Sequence, residues 1–270
     1  MIDWIDSGGV SLRYDLRGTV PRTMVFVHEA GGCLESWDGV TEELQREVRT
    51  LTYDSRGAGL SEKPVGALTL DALAHDLLAL LDALRILEPV TVVGCAVGAA
   101  VSIRFAARHA ARVAGLVALS PATGIAAGDR ARVLALATRL ESEGVRSRVL
   151  ERFDHSYAAD YFAGRSADRD RVRARLLHAD PRSYAELYRM LCDLDLSEDL
   201  ARIAVPTLVV AGRRDGTRPP ALVETVAHAI PGARFEILDS GHAMNILSPR
   251  PVAAAIRRFS AEDYSIDARR

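Results

Sequence analysis

Val90-Thr-Val-Val-Gly-Cys-Ala-Val-Gly-Ala-Ala100 decides the fold. Four β-favouring residues, Val90 to Val93, run into Gly94, and small helix-compatible residues follow Gly98. The pattern is a strand, a sharp bend and a helix start. A residue at the tip of such a bend sits in strained backbone, so the residues two before and two after it must be small. With the tip at 96 those neighbours are Gly94 and Gly98, with Ala99 beyond. With the tip at Cys95 they become Val93 and Val97, whose branched side chains would collide. The tip is therefore position 96, and position 96 is alanine. A methyl group has no lone pair with which to attack a substrate.

Outward from this bend, apolar strand runs alternate with helical patterns. Val10 to Arg17 alternates as an exposed antiparallel strand does, and Thr23 to Val27 reads as a buried strand. A short helix is expected to start at Ser36-Trp37, and Val48 to Tyr53 is the next strand. Leu70 to Leu84 carries leucines at helical spacing. Val113 to Leu119 is another buried strand. Between Pro121 and about Leu194 the rhythm stops, and four helical patterns replace it: Asp129 to Glu143, Val145 to Tyr161, Ala167 to His178 and Pro181 to Cys192. Asp129 and Asp180-Pro181 supply helix-start chemistry. The rhythm resumes with strands at Thr207 to Ala211 and Arg234 to Leu238, and helices at Pro219 to Ile230 and Pro249 to Phe259. The tail after Ser260 reads as loosely held. This is an α/β chain with a mostly parallel sheet and helices on both faces. Residues 1–120 and 195–270 are expected to form the core, and 121–194 an inserted helical lid over the carboxyl ends of the strands. Open sheets of this kind bind ligands at that edge.

Composition narrows the function. The 270 residues are 49% hydrophobic with a net charge of −2, enough for a large core and no footprint for nucleic acid or an anionic membrane. Lys63 is the one lysine, and the arginine bias reads as a coding bias. Met-Ile-Asp-Trp-Ile-Asp lacks the basic-then-apolar plan of a signal peptide, and Val90 to Ile103 is too short to span a bilayer. Cys33, Cys95 and Cys192 show no metal spacing and read as free thiols in a reducing cytoplasm. The expectation is a cytoplasmic protein with a small-molecule substrate, no metal and no cofactor. A homodimer stays open.

Together, Tyr53-Asp-Ser-Arg-Gly-Ala-Gly-Leu-Ser61, the bend, Asp193-Leu-Asp-Leu, Leu200-Ala-Arg-Ile-Ala-Val-Pro-Thr-Leu-Val-Val-Ala-Gly212 and Ser240-Gly-His242 make the chain resemble the α/β-hydrolase superfamily along nearly its full length. Within it the likeness is to 3-oxoadipate enol-lactonase-like and related carboxylic-ester hydrolases. The resemblance implies an eight-stranded sheet, with the bend as the nucleophile elbow G-x-Nu-x-G. It implies His242 as catalytic base and Asp215 as its acid partner, in the family's chain order. The position after the strand at 113–119, where some members place the acid, reads Ser-Pro and holds no carboxylate. The resemblance assigns the oxyanion hole to the backbone N–H groups of Ala30 and Val97. One departure stands out: Glu29 follows His28 where the family usually has glycine. Glu29 reads either as a structural carboxylate or as a base in a site without a serine, and His28 as a loop residue.

Cys33, Trp37, Phe153, Tyr157, Tyr161, Phe162 and Tyr184 are candidates for the pocket wall, although at helical spacing such residues are more often core. The Cys95 thiol should point away from the pocket. Arg130, Arg152 and Arg173 could grip a substrate carboxylate or form a solvated face; His155 and His178 read as surface. Ala96 itself admits three readings. The active form carries serine at 96 and alanine is a disabling, engineered replacement. Alternatively, a natural Ala96 enzyme uses His242 and Asp215 for elimination, C–C cleavage, isomerisation or cofactor-free reaction with oxygen. Last, the fold binds a small molecule without turning it over. The retained His242 and Asp215 put that reading third, and the hydrolase leads.

Overall fold

A computed structural model describes residues 2–146, 149, 153–154 and 156–267, without the side chains of 262–267. Eight strands form one sheet in the order β1-β2-β4-β3-β5-β6-β7-β8. They are β1 (Ile2–Ser7), β2 (Val10–Arg17), β3 (Thr23–Val27), β4 (Arg49–Tyr53), β5 (Val90–Cys95), β6 (Val113–Leu119), β7 (Thr207–Gly212) and β8 (Arg234–Leu238). β1 and β2 are antiparallel, and β4 through β8 run parallel.

The period-2 geometry of a strand divides each central run between two cores. Val25, Val27, Val92, Leu116, Ala118, Val209 and Ala211 face one side, packed on α2 (Leu70–Ala83), α3 (Val97–Arg108) and α8 (Pro220–Ala229). Met24, Phe26, Val93, Cys95, Val117, Leu119, Leu208 and Val210 face the other, packed on α1 (Asp38–Leu44) and the C-terminal helix. Both faces of the sheet are covered, which is why its strands are continuously apolar.

Two features differ from the sequence reading. The N-terminal residues form β1, paired along β2 from Ile2–Asp15 to Ser7–Val10. Ile2 and Trp4 are exposed, so no alternation marks the strand. The turn that builds it is Gly8-Gly9, with φ of +59° and +83°; such a two-residue hairpin needs positive φ at both positions. At the other end, the helix beginning at Pro249 runs to Asp267, past the Phe259 boundary.

Between β6 and β7 come α4 (Arg130–Glu143), α5 (Ser166–Leu177), α6 (Pro181–Cys192) and α7 (Ser197–Arg202). Asp180 caps α6 by accepting the Ser183 N–H at 2.8 Å, with proline opening the first turn. Asp129 makes no cap and pairs with Arg132 at 2.9 Å instead. Ala137 and Leu140 of α4 pack on Tyr184 and Ala185 of α6. Phe153, Tyr157, Phe162 and Leu176 pack on Ala243 and Leu247, which fastens this segment to the loop after β8. Arg152 and His155 lie outside the described residues. Among the described residues no helix is long and apolar enough to cross a membrane.

Candidate active site

The bend after β5 has the backbone its sequence demands. Ala96 sits at φ +53°, ψ −112°, a region that L-residues rarely adopt. Its N–H donates to the Leu119 carbonyl at 2.9 Å and its own carbonyl accepts the Ala122 N–H at 3.0 Å, so β6 and the loop after it hold the tip in place. A Cβ at position 94 would stand 2.3 Å from the Gly98 oxygen, and one at 98 would stand 2.1 Å from the Val27 oxygen. Only glycine fits at either place. The thiol of Cys95 turns to the opposite face of the sheet, fully buried, and donates to the His242 carbonyl at 3.7 Å.

Asp215 lies in the turn after β7, with its side chain wholly buried. Its Oδ1 accepts the N–H groups of Thr217 and Arg218, each at 2.8 Å, and its Oδ2 faces His242 Nδ1 at 2.8 Å. Burial alone would raise this carboxyl, but hydrogen bonding and charge from His242, together with the Arg218 N–H, hold it below its ordinary value. With the carboxylate accepting at Nδ1, the neutral imidazole keeps its proton there and leaves Nε2 free as a base.

His242 and Ala96 line one cavity of about 540 Å³. Its lower wall comes from the loops at the carboxyl edge of the sheet: Glu29 and Ala30, Ala96 and Val97, Thr217 and Arg218, His242 and Ala243. Its upper wall comes from the inserted segment, including Val133, Leu136, Phe153, Tyr157, Tyr184 and Leu191. Among the described residues, the N–H groups of Ala30 and Val97 are taken by no loop or cap hydrogen bond, and both residues reach the cavity.

Glu29 is buried and bonded at both oxygens. Oε1 accepts the Ser36 hydroxyl and Oε2 accepts the Asn245 amide, each at 2.9 Å. Asn245 also donates to the Ser36 carbonyl at 3.2 Å. Glu29 thus ties the loop after β3 to the start of α9 (Met244–Leu247) while showing one edge to the cavity. His28 is a loop residue: Nε2 accepts the Ser55 N–H at 3.0 Å, so Nδ1 donates to the Glu29 carbonyl at 2.8 Å.

Several expected wall residues stand elsewhere. Trp37 packs on Phe26 in the core beneath the sheet, with no exposed surface. Cys33 lines a second hollow of about 420 Å³, which shares Val97 and Tyr184 with this cavity. Tyr161 stacks under the Arg214 guanidinium, and Phe162 is buried beside Phe153 and Leu247. Arg130 pairs with Asp193 outside the cavity, Arg173 is exposed, and His178 is exposed with Nδ1 on the Ala174 carbonyl. The arginines on the cavity are instead Arg132, Arg139 and Arg218. Arg218 had a sequence signal, three residues after the candidate acid, which the turn chemistry of Asp-Gly masked. Cys33, Glu35 and Asp54 gather their donor atoms within 4.8 Å. Arg13 stands between the two carboxylates, at 2.5 Å from Glu35 and 3.2 Å from Asp54, and supplies the positive charge there.

Known proteins share this fold. A family model for the alpha/beta hydrolase fold matches residues 22–249. 3-oxoadipate enol-lactonase 2 of Acinetobacter baylyi is 27% identical over 268 residues, covering 96% of this chain and 97% of that protein. The enol-lactonase from Burkholderia xenovorans LB400 superposes with a TM-score of 0.89 at 27% identity, over 96% of this chain and 100% of the other. A malate-bound thermophilic esterase from Thermogutta terrifontis also reaches 0.89, at 26% identity, over 97% of this chain and 99% of that one. The chain belongs to the α/β hydrolase fold family.

Proposed function

We propose that this chain is a hydrolase scaffold for a small carboxylic ester or lactone, complete except for the nucleophile of a Ser-His-Asp site. The observation that carries the reading is the His242–Asp215 pair at 2.8 Å, sharing a cavity with the strained tip at Ala96. With serine at 96, its hydroxyl would attack the substrate carbonyl, and His242 Nε2 would take the proton and return it to the leaving alkoxide. Asp215 would hold the imidazolium. The N–H groups of Ala30 and Val97 would receive the developing oxyanion. Residues 121–194 act as the lid over a core made of 1–120 and 195–270. The similarity to enol-lactonases and an esterase supports the substrate class.

A second reading keeps Ala96 as the working residue. Glu29 favours it, since this carboxylate borders the cavity where the family usually has glycine. His242 would then take a proton from water or from the substrate directly, without a covalent intermediate.

Ala96→Ser separates the two. The hydrolase reading expects hydrolysis of short activated esters and enol-lactones to rise by roughly 10³-fold or more, with an acyl-enzyme burst and fluorophosphonate labelling at 96. No gain in a folded Ala96→Ser protein would sink it. Turnover with Ala96 intact that disappears in His242→Ala would establish the second reading. Ligand-dependent stabilisation without turnover in either form would mark a binding protein.

A further inference from the structure

The hollow beside the catalytic cavity takes no part in the chemistry above. It holds about 420 Å³ between the loops after β3 and β4 on one side and α5 and α6 on the other. Val27, Leu68, Leu73, Val97, Val101 and Leu187 give it an apolar lining. Protein interiors are close-packed, with few voids larger than a water molecule. An apolar space of this size holds water poorly, because water needs polar partners, and it suits a hydrocarbon well. The charged residues around it are already engaged. Arg13 holds Glu35 and Asp54, and Arg56 holds Asp76. Both His28 nitrogens are used, His178 bonds the Ala174 carbonyl, and Asp180 caps α6. Arg175, half-buried at the edge, sets its charge against Asp38. An ion entering the hollow would lose its water and gain no free counter-ion. The Ser183 hydroxyl also lines the hollow, and among the described residues it has no hydrogen-bond partner.

A packed partition divides the hollow from the catalytic cavity. Val97 and Tyr184 belong to both walls, Leu176 to the cavity and Gly31 to the hollow. A Cβ at position 31 would stand 2.7 Å from Leu176 Cδ2 and 3.2 Å from Tyr184 Oη, so these two side chains press onto bare backbone. The rest of the wall is held as firmly. A Cβ at position 57 would stand 2.9 Å from Ser183 Cβ, so the loop after β4 abuts α6. Asp54 accepts the Leu60 N–H at 2.7 Å, and the Lys63 ammonium donates to the Gly59 and Ser61 carbonyls at 2.6 Å each. Leu60 itself is exposed and lines the hollow, which gives an apolar approach from solvent. Walls held in this way need little ordering when a ligand enters.

We propose that this hollow binds a second small molecule beside the catalytic cavity rather than within it, whatever residue stands at 96. Its ligand is neutral and mostly hydrocarbon, with at most one hydroxyl or carbonyl oxygen for Ser183. Each buried methylene adds to binding, while a charged group on the ligand costs more than the hollow returns.

The test titrates the unaltered chain with 1-hexanol, hexanoate and hexylammonium by calorimetry near neutral pH. Hexanol should bind about tenfold tighter or better than either ion. In the same chain it should shift the methyl resonances of Leu73 and Leu187. Leu136→Trp fills the catalytic cavity and should leave hexanol binding in place. Adding Leu68→Trp or Ala179→Trp, which fill the hollow from the core side and the lid side, should weaken it about tenfold or more in a folded protein. Absence of hexanol binding, or an ion bound as tightly as hexanol, would overturn the proposal. So would unmoved methyl resonances at Leu73 and Leu187, an observation that needs no variant. Loss of binding in a folded Leu136→Trp protein would place the alcohol in the catalytic cavity, and retention in both doubly substituted proteins would place it elsewhere; either result also overturns it.

Discussion

The two walls of the cavity are made differently. The lower wall is a set of turns whose polar groups are nearly all spoken for. Asp215 takes three hydrogen bonds, Glu29 takes two, and Ala96 is pinned to Leu119 and Ala122. The upper wall is a set of helices offering Val133, Leu136, Phe153, Tyr157 and Leu191, held by apolar packing. Hydrogen bonds fix direction to fractions of an ångström, which chemistry requires. Apolar packing fixes volume, which sorts substrates only coarsely. Changes below should therefore act on rate and stability, and changes above on preference.

The largest effect should come from the tip of the bend. In the Ala96→Ser background, adding His242→Ala should return hydrolysis to the level of the starting chain, a loss of roughly 10³-fold or more, because nucleophile and base act as a unit. Retention of most of the gain would detach His242 from the reaction and break the contrast between walls.

Glu29 tests the lower wall's stability. In Glu29→Gln, one amide NH₂ must face the Ser36 hydroxyl or the Asn245 amide, which now both donate to Glu29. Among the described residues Asn245 Oδ1 has no partner, and it could accept after a flip, at the expense of the bond to the Ser36 carbonyl. The expected cost is about 1–2 kcal/mol, read by denaturant unfolding. An unchanged midpoint would mean that the carboxylate is not an anchor.

On the upper wall, Leu136→Ala enlarges the cavity. In the Ala96→Ser form it should shift the kcat/KM ratio between long and short acyl esters by about tenfold, leaving the best kcat within a small factor. A collapse of kcat for every ester would show that the upper wall also positions the reacting atoms.

The smallest effect is electrostatic and lies behind the lower wall. Burial alone would raise the Glu35 carboxyl, but the hydrogen bonds from Arg13 and Cys33 bring it from 4.5 to about 2. A carboxyl depressed in the fold contributes stability that is complete above its unfolded value near 4.5 and is lost as the pH falls towards 2. Glu35→Gln should flatten the acid limb of the stability profile in that window and cost about 1 kcal/mol at neutral pH, after solvent screening of a partly buried pair. Parallel acid limbs in the two proteins would remove Glu35 from this account.

This contrast also explains what the chain revealed before its structure. The lower wall gathers four distant loops, but each leaves a local mark: Gly94 and Gly98 bracket the tip, Asp215 begins its own turn, and His242 follows a strand. Close backbone approach leaves a glycine, and a strand end leaves a boundary. The upper wall comes from successive helices of one stretch, residues 132–191, and no periodicity tells a residue facing a cavity from one facing a core. Trp37 shows the same ambiguity, since its ring fits the core beside Phe26 as well as any pocket. Arg218 reaches the cavity and Arg130 does not, because the direction of a long side chain is settled by neighbours that the sequence does not show. β1 was missed through exposure: Ile2 and Trp4 face solvent, and only Gly8-Gly9 marks the hairpin.

The three cysteines make the chain its own clock. Burial pushes all three thiols above their ordinary values. Alkylation needs both access and a thiolate, and the closed protein offers little of either. Labelling must then wait for opening, and each sulfur waits for a different region. Cys33 samples the loop after β3, Cys192 the end of α6, and Cys95 the underside of the bend. Timed modification followed by peptide mass analysis would thus resolve the loop, the inserted helices and the sheet as separate opening events in unmutated protein, with Cys95 reacting last.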